Sequence, residues 1–184
     1  MQWCERNLCF DFSKAKLAIK FDNPEWHGVT HGGLCAADFL VEWDDQLWLI
    51  EIKDPESTPA AHREKAVKKF SHELEQKTLI SKQLSPTLRD SLFYLWLENW
   101  DLNKPIHYFV VIGLESILPR SLSGLKHTFL KETWCSALEQ RGWKQRLALN
   151  VDFFTVGMWQ KHFPDCPLVR ITETENEQID SLGE

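Results

Sequence analysis

Nothing in the chain approaches the run of about 20 apolar residues that a membrane-spanning helix needs, and the opening MQWCERNLCF lacks the apolar stretch of a secretory signal. The expectation is a cytoplasmic protein with no membrane partner. Cysteine points the same way. Cys4, Cys9, Cys35, Cys135 and Cys166 are an odd number without framework spacing, which predicts reduced thiols. Repeats, low-complexity segments and any recognisable DNA-reading module are also missing. Positive charge is scarce: 21 bases face 27 acids, for a net charge of −6. Phosphate contacts come mainly from Lys and Arg, so this balance argues against tight autonomous binding of a polyanion.

The deficit is concentrated. Glu173, Glu175, Glu177, Asp180 and Glu184 sit in a final stretch with no base, and the remainder lies within one charge of neutral. Residues 1–172 therefore read as one domain and 173–184 as an acidic, flexible tail. Hydrophobic content of 43% and charged content of 26% suit a globular fold. Nine tryptophans are unusual, and core positions are the expectation for most of them.

Residues 16–21 alternate as a strand does, and residues 34–43 and 46–53 predict two strands joined at Asp44-Asp45. A long helix is expected from Pro59 to about Gln83, and a second from Ser85 to near Asn99. Ile106 to Gly113 reads as a buried strand. A third long helix is expected from about Ser123 to Gln140, then strands at 147–156 and 168–171 flanking a short helix at 158–162. The order predicts an α/β fold, a central mixed β-sheet flanked by helices.

An even-length loop at Asp44-Asp45 pairs residues whose numbers sum to 89, which sets Asp38 opposite Glu51. In this register Ala37, Phe39, Val41, Trp48, Ile50 and Ile52 share an apolar face, while Asp38, Leu40, Leu49, Glu51 and Lys53 share the other. Two carboxylates about 5 Å apart repel by about 3 kcal/mol at an effective dielectric of about 20. A proton, a cation or a metal ion must hold such a pair, and Lys53 supplies part of the answer. Leu47-Trp48-Leu49-Ile50 is apolar on both faces, the profile of a central strand delivering charges to a site, whereas a solvated edge hairpin alternates. Oxygen ligands with open positions suit Mg²⁺ or Mn²⁺.

Asp38 followed after twelve residues by Glu51-Ile52-Lys53, within GLCAADFLVEWDDQLWLIEIKDPE, resembles the signature of the PD-(D/E)XK, or restriction-endonuclease-like, nuclease superfamily. The resemblance spans about Lys20 to Glu56, with Ala37 where the motif has proline. It implies a restriction-endonuclease-like mixed sheet and Mg²⁺-dependent hydrolysis of phosphodiesters, with Mn²⁺ able to substitute and DNA ahead of RNA as substrate. It implies Asp38 and Glu51 as metal ligands, the Ile52 carbonyl as a further ligand, and Lys53 as the residue that positions water. Asp22 is the preferred match for an earlier acidic ligand, with Glu5 and Glu25 as substitutes; Asp22-Asn23-Pro24 is equally a turn signal. Genome defence, restriction or repair is the implied setting, within a homodimer or larger complex. A catalytically silent subunit that keeps the fold is the alternative.

Beyond the motif, the helix after Pro59 is the most basic stretch, and Lys68 and Lys69 are its best candidates for nucleic-acid contacts, against a merely solvated face. Arg89-Asp90 reads as surface pairing. His27 and His31, with Cys35, Cys4 and Cys9, read as loop residues near the site ahead of a zinc centre, and Gly28, Gly32 and Gly33 suggest a flexible loop.

Overall fold

A computed structural model describes residues 1–23, 33–140 and 147–171. At its centre lies the expected hairpin, β4 (Phe39–Glu42) and β5 (Leu47–Lys53), antiparallel and in the sum-89 register: Phe39 faces Ile50 and Val41 faces Trp48. Strand β3 (Leu17–Lys20) pairs antiparallel with β4, whereas β6 (Ile106–Ile112) pairs parallel with β5 and β7 (Leu149–Thr155) parallel with β6. The result is a mixed five-stranded sheet ordered β3-β4-β5-β6-β7, with β5 in the middle. Six of the seven residues of β5 are buried, as a strand covered on both faces requires.

Alternation along the strands divides the core into two layers. Leu40, Leu47, Leu49, Tyr108 and Val110 face helices α1 (Ala60–Glu75), α2 (Ser85–Leu97) and α3 (Pro119–Glu132), which contribute Phe70, Leu88, Leu95, Leu122 and Phe129. Phe39, Val41, Trp48, Ile50 and Ile52 face the other way. There they meet Leu8, Phe10 and Leu168 from a three-stranded sheet of β1 (Gln2–Glu5), β2 (Leu8–Asp11) and β8 (Leu168–Arg170). Each such fully buried Leu or Phe is worth about 1.5–3 kcal/mol of apolar burial.

Several expectations are corrected. Ala37 belongs to the helix-side layer, not with Phe39, because the chain leaves strand geometry at Asp38 and period-two alternation stops there. The long first helix ends at Glu75; Lys77 takes φ +56, and a π-helical turn at Ile80–Leu84 leads into α2. The third helix starts at Pro119 and divides at Thr133, whose extended backbone separates α3 from α4 (Cys135–Gln140). The short helix is confirmed as α5 (Val156–His162), but the strand after it joins the smaller sheet. Cys4 and Cys9 face each other across β1–β2 and form a disulfide, so two of the five thiols are not reduced and both are lost to any zinc set. Of the seven tryptophans described, Trp48 and Trp159 are buried, Trp3, Trp43, Trp100 and Trp134 are half-buried, and Trp96 is exposed. Among the described residues no helix is long and apolar enough to cross a membrane.

A clamp ties the small sheet to the large one. Arg170 on β8 makes a two-pronged pair with buried Asp54 just after β5, at 2.7 and 3.1 Å, and donates to the Gly113 carbonyl at 3.0 Å. A Cβ at Gly113 would fall 2.3 Å from Asp54 Oδ1, so glycine there is a packing requirement.

Candidate active site

The site lies at the carboxyl end of β5, where open α/β sheets bind ligands. Glu51 and Lys53 continue the face of Leu47 and Leu49 and project beneath α1. Glu51 is 4% exposed. Its Oε1 accepts from Lys53 Nζ at 2.7 Å, and its Oε2 has no hydrogen-bond partner among the described residues.

Asp38 reaches the same end from the other strand. Helix α2 fixes the approach: Asp90 accepts from Cys35 N at 3.1 Å and Ser91 Oγ from Ala37 N at 2.9 Å. Asp90 is therefore a buried anchor as well as a partner of Arg89, which corrects the surface reading. The β4–β5 ladder ends at Phe39, one residue short of the expected Asp38–Glu51 pair. Beyond it the Asp38 carboxylate replaces the missing main-chain acceptor and takes a bond from Ile52 N at 2.5 Å. The Asp38 carbonyl accepts from Phe21 N at 2.8 Å, which brings the end of β3 alongside.

Asp22 follows directly, and it meets an acid from the N-terminal hairpin. One carboxylate oxygen each from Glu5, Asp22 and Asp38 lie within 4.8 Å of one another. Asp22 and Glu5, weighed in the sequence as alternatives, are thus both present; Glu25 lies outside the described residues. Glu51 is not part of this triplet, being drawn toward Lys53. Lys20 on β3 donates to Glu5 at 2.5 Å. Four carboxylates against Lys20, Lys53 and Arg6, whose Nε lies 3.9 Å from Glu5, leave the group net negative at full ionisation.

The electrostatics carry that imbalance. Burial raises the Asp38 carboxyl well above the usual carboxylate range, and the Glu51 charge pushes it further. Burial also raises Glu51, against the pull of Lys53. Burial alone would lower the Lys53 ammonium, but contact with Glu51, with Asp38 beyond, leaves it raised. Lys20 is raised likewise, its burial outweighed by Glu5, Asp22 and Asp38. The buried Tyr108 phenol beneath is pushed well above its usual value by desolvation and then by Glu51 and Asp38.

A cleft of about 340 Å³ opens at this end of the sheet, with Glu5, Arg6, Asp38, Ile52, Lys53 and Lys69 among its walls; Asp22 and Glu51 do not line it. Of the two lysines singled out for nucleic acid, Lys69 lines it and leans toward Glu73 at 3.7 Å. Lys68 does not line it. Its Nζ pairs with Glu64 at 2.5 Å on the solvent side of α1, about 100° around the helix from its neighbour. His27, His31 and residues 173–184 lie outside the described residues. The contributions of Lys20 and Arg6 escaped the sequence reading because no local spacing links the hairpin turn at residue 6 to β3 or β5.

The donor set fits a hard divalent cation. The triplet consists of oxygens only and is net negative with its neighbours, and beside it lies one carboxylate oxygen, Glu51 Oε2, that is buried with no donor among the described residues. No protein-family model, curated protein or solved structure matches the chain.

Proposed function

We propose that this chain is a divalent-metal-dependent nuclease of the PD-(D/E)XK kind, with a restriction-endonuclease-like core. The observation that carries the reading is Glu51: a buried carboxylate with one oxygen unpartnered, beside the Glu5–Asp22–Asp38 triplet and in contact with Lys53. Asp38, Asp22, Glu5 and Glu51 would hold Mg²⁺ or Mn²⁺, with the Ile52 backbone bordering the site. The ion supplies a Lewis acid that makes water a better nucleophile and offsets charge on a phosphodiester. The chain supplies the rest. Ile52 N holds Asp38 in one orientation, and Glu51 fixes the Lys53 ammonium at the cleft floor. There it can orient water or offset negative charge on phosphate. DNA is the favoured substrate, and the acidic balance favours a second copy or another protein to supply grip.

The test is cleavage of supercoiled, linear and single-stranded DNA and of RNA with Mg²⁺ or Mn²⁺. Glu51→Ala and Lys53→Ala are each expected to lower the rate by about 10³-fold or more while circular dichroism stays native. Cleavage that survives both substitutions sinks the site. An inert wild type, alone and with co-purifying proteins, favours the silent-subunit alternative.

A further inference from the structure

The turn between β1 and β2 carries an oddity that the metal site does not use. Arg6 adopts φ +54, a left-handed conformation that glycine takes freely and a branched or long side chain takes at a cost of about 1–2 kcal/mol. Asn7, a residue type that tolerates this region better, stands next to it and does not occupy it. Residue preference for this conformation does not account for an arginine at position 6.

The surroundings supply a reason. Arg6 lines the same cleft as Asp38, Lys53 and Lys69. Its Nη1 donates to Ser57 Oγ at 3.0 Å, which braces the guanidinium against the turn that follows β5. Nε makes a looser approach to Glu5 Oε1, at 3.9 Å. A guanidinium has five N–H donors, so among the described residues most of the fork is free, and 64% of the side chain is exposed. The arrangement differs from the buried Arg170–Asp54 clamp, where the fork is spent on a carboxylate and a carbonyl. Here the fork stands open above an anionic floor that a divalent cation would neutralise. A phosphate group is the ligand that matches a free planar fork beside such a cation.

We infer that Arg6 is a substrate-positioning residue, binding a non-bridging phosphate oxygen of the nucleic-acid strand at the mouth of the cleft. The inference rests on the nuclease reading and makes the N-terminal hairpin part of the active site, through Glu5 on the metal side and Arg6 on the substrate side. The rival role is structural, a pin between the hairpin and the turn at Ser57.

Arg6→Gly separates the two, because glycine accepts φ +54 without strain. Binding of fluorescent single-stranded and duplex oligonucleotides would be measured in a Lys53→Met background across a salt series, with KM and kcat measured in the otherwise wild-type chain. The expected result is affinity about tenfold weaker, a salt slope shallower by about one, and KM raised more than kcat falls, with thermal stability held or improved. Arg6→Lys should recover part of the affinity, since it restores the charge without the fork. Wild-type affinity and slope in Arg6→Gly, or lost stability with affinity intact, would overturn the role and leave the nuclease reading standing. A wild type that neither cuts nor binds nucleic acid overturns both.

Discussion

Ionising Glu51 leaves a buried carboxylate whose Oε2 has no donor among the described residues, and Asp38, although it accepts from Ile52 N, is buried and repelled by Glu51. Both carboxyls are raised in the folded chain, so between the unfolded values of about 4 and those raised values the folded state binds more protons than the unfolded one. The ion-free protein should therefore lose stability as pH climbs through that window and stay at the lower level above it. Mg²⁺ or Mn²⁺ binds the deprotonated groups, so its benefit should be small at the acid end and reach about 2.7 kcal/mol at a hundredfold excess over Kd above the window. Glu51→Gln removes the buried charge. It is expected to exceed wild type in ion-free stability near pH 8 and to respond to the ion far less. Denaturant melts from pH 4 to 8, with and without the ion, test this through the difference between the two proteins. A difference that does not change with pH would show that Glu51 is not the strained group. These residues were legible in the sequence because hairpin register is arithmetic and β5 reads as apolar on both faces right up to its charges. Glu5 as a simultaneous member, Lys20 and Arg6 were not. Glu5 and Arg6 come to the site through the packing of one sheet against another, and Lys20 through the pairing of β3 with β4, neither of which a local period encodes.

Among the elements, the legible ones had either strong alternation or a proline or glycine boundary, as β5, β6, α2 and β7 show. The N-terminal hairpin was not legible. Its strands are four residues each and its Arg6-Asn7 turn lacks glycine, so neither periodicity nor turn chemistry announces it. The break at Lys77 is equally silent, a lysine in a glycine-like conformation between two helical segments. The small sheet nonetheless places Glu5, and beside its apolar contact with the large sheet it is pinned by Arg170 to Asp54 and Gly113. Gly113→Ala would drive a methyl into the Asp54 carboxylate and the Arg170 guanidinium, so the ion pair itself would have to shift. The expected cost is about 2–4 kcal/mol, with metal affinity falling as Glu5 loses its placement. Calorimetric unfolding and metal titration check this pair of effects. Lost stability with unchanged metal affinity would mean that Glu5 is placed by Lys20 alone.

Across the whole molecule, charge opposes the proposed substrate. With 27 acids to 21 bases, approach of a nucleic acid is resisted everywhere except where local cations and a bound ion reverse the field. Five of those acids lie between Glu173 and Glu184 with no base among them. Ending the chain after Thr172 should therefore strengthen nucleic-acid binding and speed cleavage several-fold at about 50 mM salt. The gain should fade toward about 0.5 M, where the Debye length shrinks to a few ångströms. Cleavage rates of both proteins over that salt range decide the matter. A rise that persists at high salt points to a tail that physically occupies the cleft. Slower cleavage at every salt concentration points to a tail that binds the catalytic body or a second copy. Only a salt-dependent gain is the signature of long-range repulsion, and it would identify the acidic stretch as the main reason an otherwise near-neutral body carries so unfavourable a charge for its proposed task.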